Sequence, residues 1–501
     1  MRAPSPASLK PALAALTLTA LAACSFAPRY EVPAVPVGDH YKEAAAADGS
    51  WTPAAPADHL PRGNWWSLYG DAQLESLIAQ QVQASPDLAA ALARYEQARA
   101  YRDQAYAGLF PSFSIGGGVT RNRNADMTPP AGASQRYYND NSLGLSASYE
   151  LDLWGRVRNT VRAGDASFAA ASADLESARL SLQTDLVDTY IQMRGLDIEG
   201  QLLQDSAVAY QKALELTQQR QGAGIASGLD VAQARTLLHA ARAQVSTTAA
   251  QRAVLEHAIA VLVGESPSTF AIAPRTDKLA LPDVPTDVPA SLLQRRPDIA
   301  AAERRTAAAN ANVGVARAAW FPTLSLGGNI GYASFERTDW FKASNLFWSV
   351  GPSLALDLFN GGLREAQIRQ ARAALDEAGA SYRATALTAF AQVEDNLALL
   401  SRYRTAAEDE ALAVESAQKS VDYAMARYRQ GAANYLEVTS AQTSALTTQR
   451  DSVTIDTNRL RASVALIRAL GGGWSTADDP NQDQGQGQEQ QKPTVVGTAT
   501  P

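Results

Sequence analysis

Few residues of this chain stand at spacings that do chemistry. The single cysteine, Cys24, follows Leu21-Ala22-Ala23. With the basic Arg2 and Lys10 and an apolar stretch from Pro11 to Leu21, this reads as a signal segment ending in a lipobox, whose cysteine is acylated and becomes the mature N-terminus. No disulfide and no cysteine-based metal site can form in the mature chain. His40, His59, His239 and His257 lack ligand spacing, and the last two fall in helical runs where a solvated position is expected. Gly222-Ala223-Gly224-Ile225-Ala226-Ser227-Gly228 looks like a dinucleotide loop. Its third glycine is misplaced, however, and it follows a helix rather than a strand, so it reads as a turn. Phosphate-loop, His-Glu-x-x-His and Gly-x-Ser-x-Gly patterns are missing. The chain is expected to be no enzyme and to carry no cofactor apart from a covalent lipid on Cys24.

The elements around these residues are more telling. The 501 residues are 46% hydrophobic but only 7% aromatic, a helix-rich composition. The formal charge of −7 becomes −9 once Arg2 and Lys10 leave with the signal, which argues against nucleic acid as a partner. Beyond the signal no apolar run is long enough for a membrane-spanning helix. From Leu143 to Gly155, however, Leu143, Leu145, Ala147, Tyr149, Leu151 and Leu153 alternate with Gly144, Ser146, Ser148, Glu150 and Asp152. That is a strand with one face in an apolar medium and one in a polar medium: either a soluble sheet whose apolar face covers a core or a membrane barrel whose apolar face meets lipid. Phe113, Ile115, Gly117 and Val119 form a preceding strand, and the polar stretch from Arg121 to Asn141 reads as the loop between them. A helical region follows in which Phe168, Leu175, Leu182, Leu196, Leu203 and Tyr210 keep seven-residue spacing, with Thr189 and Thr217 the weaker members. Asp71 is expected to cap an earlier helix with apolar positions Leu74, Leu77, Ile78 and Val82.

The unit then recurs. Phe321-Pro322-Thr323-Leu324-Ser325-Leu326 repeats Phe110-Pro111-Ser112-Phe113-Ser114-Ile115, and Leu356-Asp357-Leu358-Phe359 repeats Leu151-Asp152-Leu153-Trp154. Arg429-Gln430-Gly431-Ala432 is matched with Arg220-Gln221-Gly222-Ala223. The organisation is a signal peptide (1–23), a lipidated arm (24–70), repeat 1 (71–265), a connector (266–289), repeat 2 (290–473) and a disordered Gln-rich tail (474–501). Repeat 1 holds a β-hairpin at 111–153 and a helical hairpin at 155–264 with its tip near 221–229. Repeat 2 holds a hairpin at 322–358, with a fourth strand from Val350 to Leu358, and a helical hairpin at 360–470 with its tip near 430–437. Four strands cannot close a barrel alone, and open edges are intolerable in lipid, so closure requires other chains.

The duplicated unit, the lipobox, the Trp65-Trp66 motif and the paired glycine turns resemble the outer-membrane efflux proteins of the TolC-like family, in its lipoprotein branch. The resemblance covers residues 24 to about 474. It implies an α+β membrane protein: a homotrimer whose twelve-stranded transmembrane β-barrel continues into a long periplasmic α-helical barrel. It also implies a passive exit duct in the cell outer membrane that serves a periplasmic adaptor (a membrane fusion protein) and an inner-membrane pump of the resistance-nodulation-division type. Two alternatives are a type I secretion duct and a lipid-anchored periplasmic coiled-coil scaffold. The family's gate and adaptor-facing tips fall here at Gln221–Val231 and Tyr428–Gln442, with Gly222 and Gly431 in the turns. Asp230 and Glu437 would each form an acidic ring, which narrows a pore and favours cations. Both acids also suit the start of a helix. Where many relatives carry a second carboxylate, this chain has Ser440.

Overall fold

The computed structural model describes residues 26–35, 42, 63–123, 137–282, 296–336 and 340–472. Cys24, the rest of the signal and the Gln-rich tail lie outside them. Asp71 turns the chain into its first helix: one carboxylate oxygen accepts from the N–H groups of Gln73 and Leu74, and α1 runs Ala72–Ala84. Leu74, Leu77 and Ile78 are buried as expected. Val82 instead faces outward, and Gln81 takes the inner position by donating to the Leu182 carbonyl at 2.9 Å. Pro86, with no N–H to lose, opens α2 (Pro86–Ala107). There follow β1 (Ser112–Arg123), β2 (Tyr137–Glu150), α3 (Arg156–Gly222), α4 (Gly228–Leu262), α5 (Pro297–Ala318), β3 (Thr323–Ser334), β4 (Leu346–Ala355), α6 (Leu363–Arg429) and α7 (Tyr435–Ala469). α3 and α6 each have 67 residues, and α4 and α7 each have 35. A helix of that greater length extends about 100 Å.

The strands form one antiparallel sheet in the order β1-β2-β3-β4. Its register lines up residues of one kind across all four strands. Ile115, Leu145, Ile330 and Trp348 stand side by side on one face. Ser114, Ser146, Asn329 and Ser349 stand side by side on the other, with Ser114 and Ser146 hydrogen-bonded at 2.7 Å and Ser349 bonded to Asn329.

The strand ends differ from the alternation pattern. β2 stops at Glu150 and β4 at Ala355, so Leu151, Leu153, Leu356 and Leu358 lie beyond the strands. At the first site the chain has already turned: Asp152 accepts from the Arg158 N–H at 2.8 Å and so caps the start of α3. At the other end the polar stretch from Arg121 to Asn141, expected as loop, supplies strand residues at its two ends, 121–123 and 137–141, while 124–136 lie outside the described residues. Arg121, Asn122 and Arg123 pair with Asn139, Tyr138 and Tyr137. Backbone pairing needs no apolar side chain, so the ladder outlasts the hydrophobic pattern.

Contacts divide the chain into two compact units that cut across the repeats. One comprises Met1–Val37, Ala89–Ser177 and Pro297–Thr388; the other comprises Gly38–Leu88, Ala178–Arg296 and Ala389–Pro501. The first contains the sheet and α5, whose buried face is mostly alanine (Ala300, Ala301, Ala302, Ala308, Ala311, Ala318). Residues 26–35 are irregular and strapped onto this unit. Arg317 donates to the Phe26 carbonyl at 3.2 Å, Asn310 to that of Pro28 at 2.9 Å and Arg383 to that of Ala34 at 3.1 Å.

The second unit holds a core of Trp65, Tyr69, Leu74, Leu77, Ile78, Leu186, Tyr190, Met193, Ile259 and Ile467, among others. Within it a fully buried Arg194 bonds Asp71 at 2.7 Å and the Asp277 carbonyl at 2.6 Å, joining α1, α3 and the connector. A buried charge with its partner removed is strongly destabilising, so this pair fixes the three segments together. Of the seven-residue row in α3, Leu203, Tyr210 and Thr217 are buried, whereas Phe168, Leu175, Leu182, Thr189 and Leu196 are half-buried.

Candidate functional site

Two surfaces follow from these elements, the two-faced sheet and the paired turns between long helices. On the sheet, Phe113, Ile115, Val119, Leu145, Ile330, Trp348, Val350 and Leu354 are all exposed. In water so large an apolar face would not persist uncovered; in a bilayer it is the face that lipid requires. The opposite face is built largely from serine, asparagine, glycine and other polar residues, with Phe347 lying over Gly144 and Gly331, and suits a water-filled space. At the end of β2, Trp154 stacks on Phe321 at 4.8 Å between ring centroids and donates its indole N–H to the Pro322 carbonyl at 2.8 Å. Phe26 covers Phe321 too, at 4.5 Å.

The turns are two copies of one device. Ile225 donates to the Arg220 carbonyl and Gly224 to that of Gln221; Ala432 donates to Arg427 and Gly431 to Tyr428. Each is a helix end closed by a residue with left-handed backbone, Gly224 at φ 74° and Gly431 at φ 75°. The match of Gly222 with Gly431 is therefore two residues out of register. Gly431 corresponds to Gly224, while Gly222 is the last residue of α3 and corresponds to Arg429. The shared Arg-Gln-Gly-Ala letters do not mark equivalent residues, because only the left-handed position demands glycine.

After the turns the two copies part. Ser227 caps α4 by accepting from the Asp230 N–H at 3.2 Å, and the Asp230 carboxylate accepts from the Ser227 N–H at 2.9 Å. This is a capping box. Asn434 caps α7 by accepting from the Glu437 N–H at 3.1 Å, but the Glu437 carboxylate pairs with Arg427 at 3.1 Å. Beneath the turns lies a cluster containing Tyr210, Leu214, Val231, Leu238, Tyr428, Tyr435 and Val438. Tyr428 meets Tyr435 edge-on at 5.3 Å and lies under the Arg220 guanidinium at 4.8 Å. Burial pushes the phenols of Tyr435 and Tyr210 up to about 12. Of the residues expected at the tips, the structure thus gathers Tyr428 into the cluster and leaves Glu437, Ser440, Gly222 and Gly431 exposed, with Asp230 half-buried. Arg220 and Arg427 stand just outside the expected tips, and Ser227, inside the first of them, has a capping role that the turn reading does not contain. A Ser-x-x-Asp spacing at the helix start would have disclosed the box.

His239 and His257 are exposed on α4. Among the described residues no group of side chains is arranged to hold a metal ion. No helix among them is long and apolar enough to cross a membrane.

The family model described as outer membrane efflux protein matches this chain twice, over residues 77–265 and 288–472. The chain belongs to that family. It is 35% identical over 468 residues to the outer membrane protein OprJ of Pseudomonas aeruginosa, covering 92% of this chain and 95% of that protein. It is 33% identical over 463 residues to the toluene efflux pump outer membrane protein TtgF of Pseudomonas putida, covering 91% and 95%. Among solved structures it is similar to the outer-membrane channel OprN, with a TM-score of 0.81 and 30% identity over 90% of this chain and 100% of that one. It is also similar to the outer membrane protein VceC of Vibrio cholerae, with a TM-score of 0.77 and 30% identity over 83% and 100%. An outer membrane efflux protein needs the lipid-ready face and the polar face that the sheet supplies. This chain is accordingly a channel of the outer membrane that serves efflux, with the fold of the solved channels.

Proposed function

We propose that the chain works as a homotrimeric exit duct, receiving small molecules from an inner-membrane pump of the resistance-nodulation-division type through a periplasmic adaptor and conducting them passively outward. The observation that carries this reading is the sheet: four strands with one apolar face, one polar face and two unpaired edges. Three such sheets give a closed barrel wide enough for a water-filled lumen. Relatives named for toluene efflux and for pyoverdine export favour small-molecule cargo. Energy must come from the partners, since no residue set in the chain is spaced to bind a nucleotide. A lipid on Cys24 would sit two residues from Phe26, whose ring stacks against the base of the sheet. An acyl chain there adds to the hold of the apolar face on the membrane.

We assign the constriction and the adaptor-facing surface of the duct to the two turns, with Asp230 and Glu437 as its acids and Ser440 leaving it less acidic than a two-carboxylate ring. The test is planar-bilayer conductance of the purified protein, with its mass measured in the same detergent. A trimer with small, cation-selective steps is expected, and Asp230→Ala with Glu437→Ala should raise conductance and weaken that selectivity. A monomer without conductance overturns the duct; unchanged conductance in the double variant removes these acids from the constriction.

A further inference from the structure

The apolar face of the sheet changes character along its length. β1 pairs with β2 residue for residue from Ser112 to Arg123, so no bulge interrupts the alternation of its side chains. Phe113, Ile115 and Val119 therefore share their face with Arg121 and Arg123. The neighbouring strands make the same change. The row of Leu145, Ile330 and Trp348 is followed by Leu143, Tyr332 and Leu346, then by Asn141 and Ser334, and on β2 by Asn139 and Tyr137. α2 leads into the start of β1 and α3 leaves after the end of β2, so this margin lies at the end of the sheet away from those helices. In an outer-membrane channel that projects into the periplasm, that end is the cell exterior.

Arg121 and Arg123 are both exposed and rest on one ring, their guanidinium carbons 5.9 and 5.8 Å from the centre of Tyr137. Such stacking holds a guanidinium in place and leaves its planar donors open. Among the described residues neither arginine has a carboxylate partner. Asp140 alternates to the opposite face, and Glu336 follows β3, on the far side of β2. β4, the other edge of the sheet, carries no acid from Leu346 to Ala355. Basic residues near the helical end are treated otherwise: Arg156 pairs with Glu150 at 2.6 Å and Arg158 with Asp152 at 3.2 Å. The outer margin thus presents two cations on a lipid-facing surface and leaves their anion to be supplied from outside the described chain.

We propose that Arg121 and Arg123 bind the phosphates of lipid A, the phosphorylated glycolipid of the outer leaflet of the outer membrane. The site rests on the barrel reading above and adds to it a defined lipid. A headgroup phosphate stands just beyond the acyl region, as the two arginines stand just beyond Val119. The guanidinium fork matches two phosphate oxygens at once. The acyl chains would run along Phe113, Ile115 and Val119 of the same strand, so one molecule meets both the apolar and the cationic part of one face. Tyr332 and Phe341, edge-on at 5.3 Å, add the aromatic rings that favour this level of a bilayer. Closing the barrel with further copies covers strand edges and leaves this outward face open.

Native mass spectrometry of the purified full-length protein in detergent counts the lipid that stays bound. Diphosphoryl lipid A, dephosphorylated lipid A with the same acyl chains, and phosphatidylethanolamine are added in turn. Diphosphoryl lipid A should bind tightest. Arg121→Gln and Arg123→Gln should each weaken it about fivefold, the usual worth of one basic residue at an anionic membrane surface. Neither change should alter binding of the dephosphorylated lipid. Arg99→Gln, at an exposed position on α2, should leave all three lipids unaffected. Equal binding of diphosphoryl lipid A by the wild type and the double variant overturns the site. Inorganic phosphate should not displace the lipid; displacement at matched phosphate concentration would show an anion site without a lipid and overturn the assignment. Mass and planar-bilayer conductance are measured on the same preparation. A conducting trimer with no preference for the phosphorylated lipid removes the site and leaves the duct standing, whereas a monomer without conductance overturns both.

Discussion

The two helical turns share one backbone and use different chemistry. Gly224 and Gly431 close them with the same hydrogen bonds, and Ser227 and Asn434 cap the returning helices from equivalent positions. The equivalent arginines then diverge. Arg427 stays in its own turn, bonding the Ala432 carbonyl and pairing with Glu437. Arg220 crosses to the other turn, lying over Tyr428 and donating to the Arg429 carbonyl at 3.2 Å. The acids part with them. Asp230 bonds back to the Ser227 N–H and belongs to the helix start, while Glu437 pairs with Arg427 and is an exposed charge in a pair that salt can loosen.

The largest asymmetry is steric. Tyr435 is buried in the cluster under the turns, and the equivalent position in the first repeat is Gly228, where an added Cβ would meet only the end of the Gln221 side chain at 3.5 Å. Tyr435→Ala should lower the local opening free energy of both turns by about 3 kcal/mol, the usual cost of emptying a buried aromatic site. Gly228→Ala should shift it by less than about 0.5 kcal/mol, within the range of neutral exposed changes. Amide hydrogen exchange across residues 210–238 and 424–442 measures both. Equal effects would mean that the cluster does not depend on the second turn.

Much of this was legible in the residues themselves. The duplication, the four strands and the Asp71 cap follow from letters and spacing, because alternation and capping are local physics. The Arg194–Asp71 pair was not legible, because its partners lie 123 residues apart and nothing local marks an arginine for burial. The strand ends are hidden from the sequence for a related reason. Leu153 and Leu358 continue the alternation, but the chain leaves the ladder where Asp152 begins to cap α3, and no hydrophobic pattern records that. At the turns, matching letters chose Gly222, whereas backbone geometry chose Gly224. That Asp230 and Glu437 stand at equivalent positions is legible from the repeat, and their unequal partners are not.

A smaller effect separates the caps. Ser227→Ala removes an acceptor and also releases Asp230 from its reciprocal bond, so the first turn should lose about 1 kcal/mol. Asn434→Ala should cost a similar amount through its single cap bond. The two differ in what the acid then does. In Ser227→Ala, a further Asp230→Ala change should add little, since the box is already broken. In Asn434→Ala, a further Glu437→Ala change should act independently, because Glu437 is held by Arg427. Hydrogen exchange of the first turns of α4 and α7 gives the four values. Matching coupling in both turns would erase the distinction between box and pair.

The smallest effect is the most diagnostic. Arg427 and Glu437 are both more than one-third exposed, and exposed pairs contribute only about 0.2–1 kcal/mol, less as salt rises. Arg427→Ala should therefore open the second turn by a few tenths of a kcal/mol at low ionic strength. At about 1 M salt, where the screening length is about 3 Å, most of that difference should vanish. Arg220→Ala should behave otherwise. Its guanidinium lies on a buried ring and bonds a carbonyl of the opposite turn, contacts that do not depend on a carboxylate. Its loss should persist in high salt and should loosen both turns together, whereas Arg427→Ala loosens one. If instead both arginine variants lose their effect in salt, Arg220 works as a charge and the turns are held together electrostatically. If neither does, the Glu437 pair is not what holds the second turn, and the exposed acid is free to serve the pore.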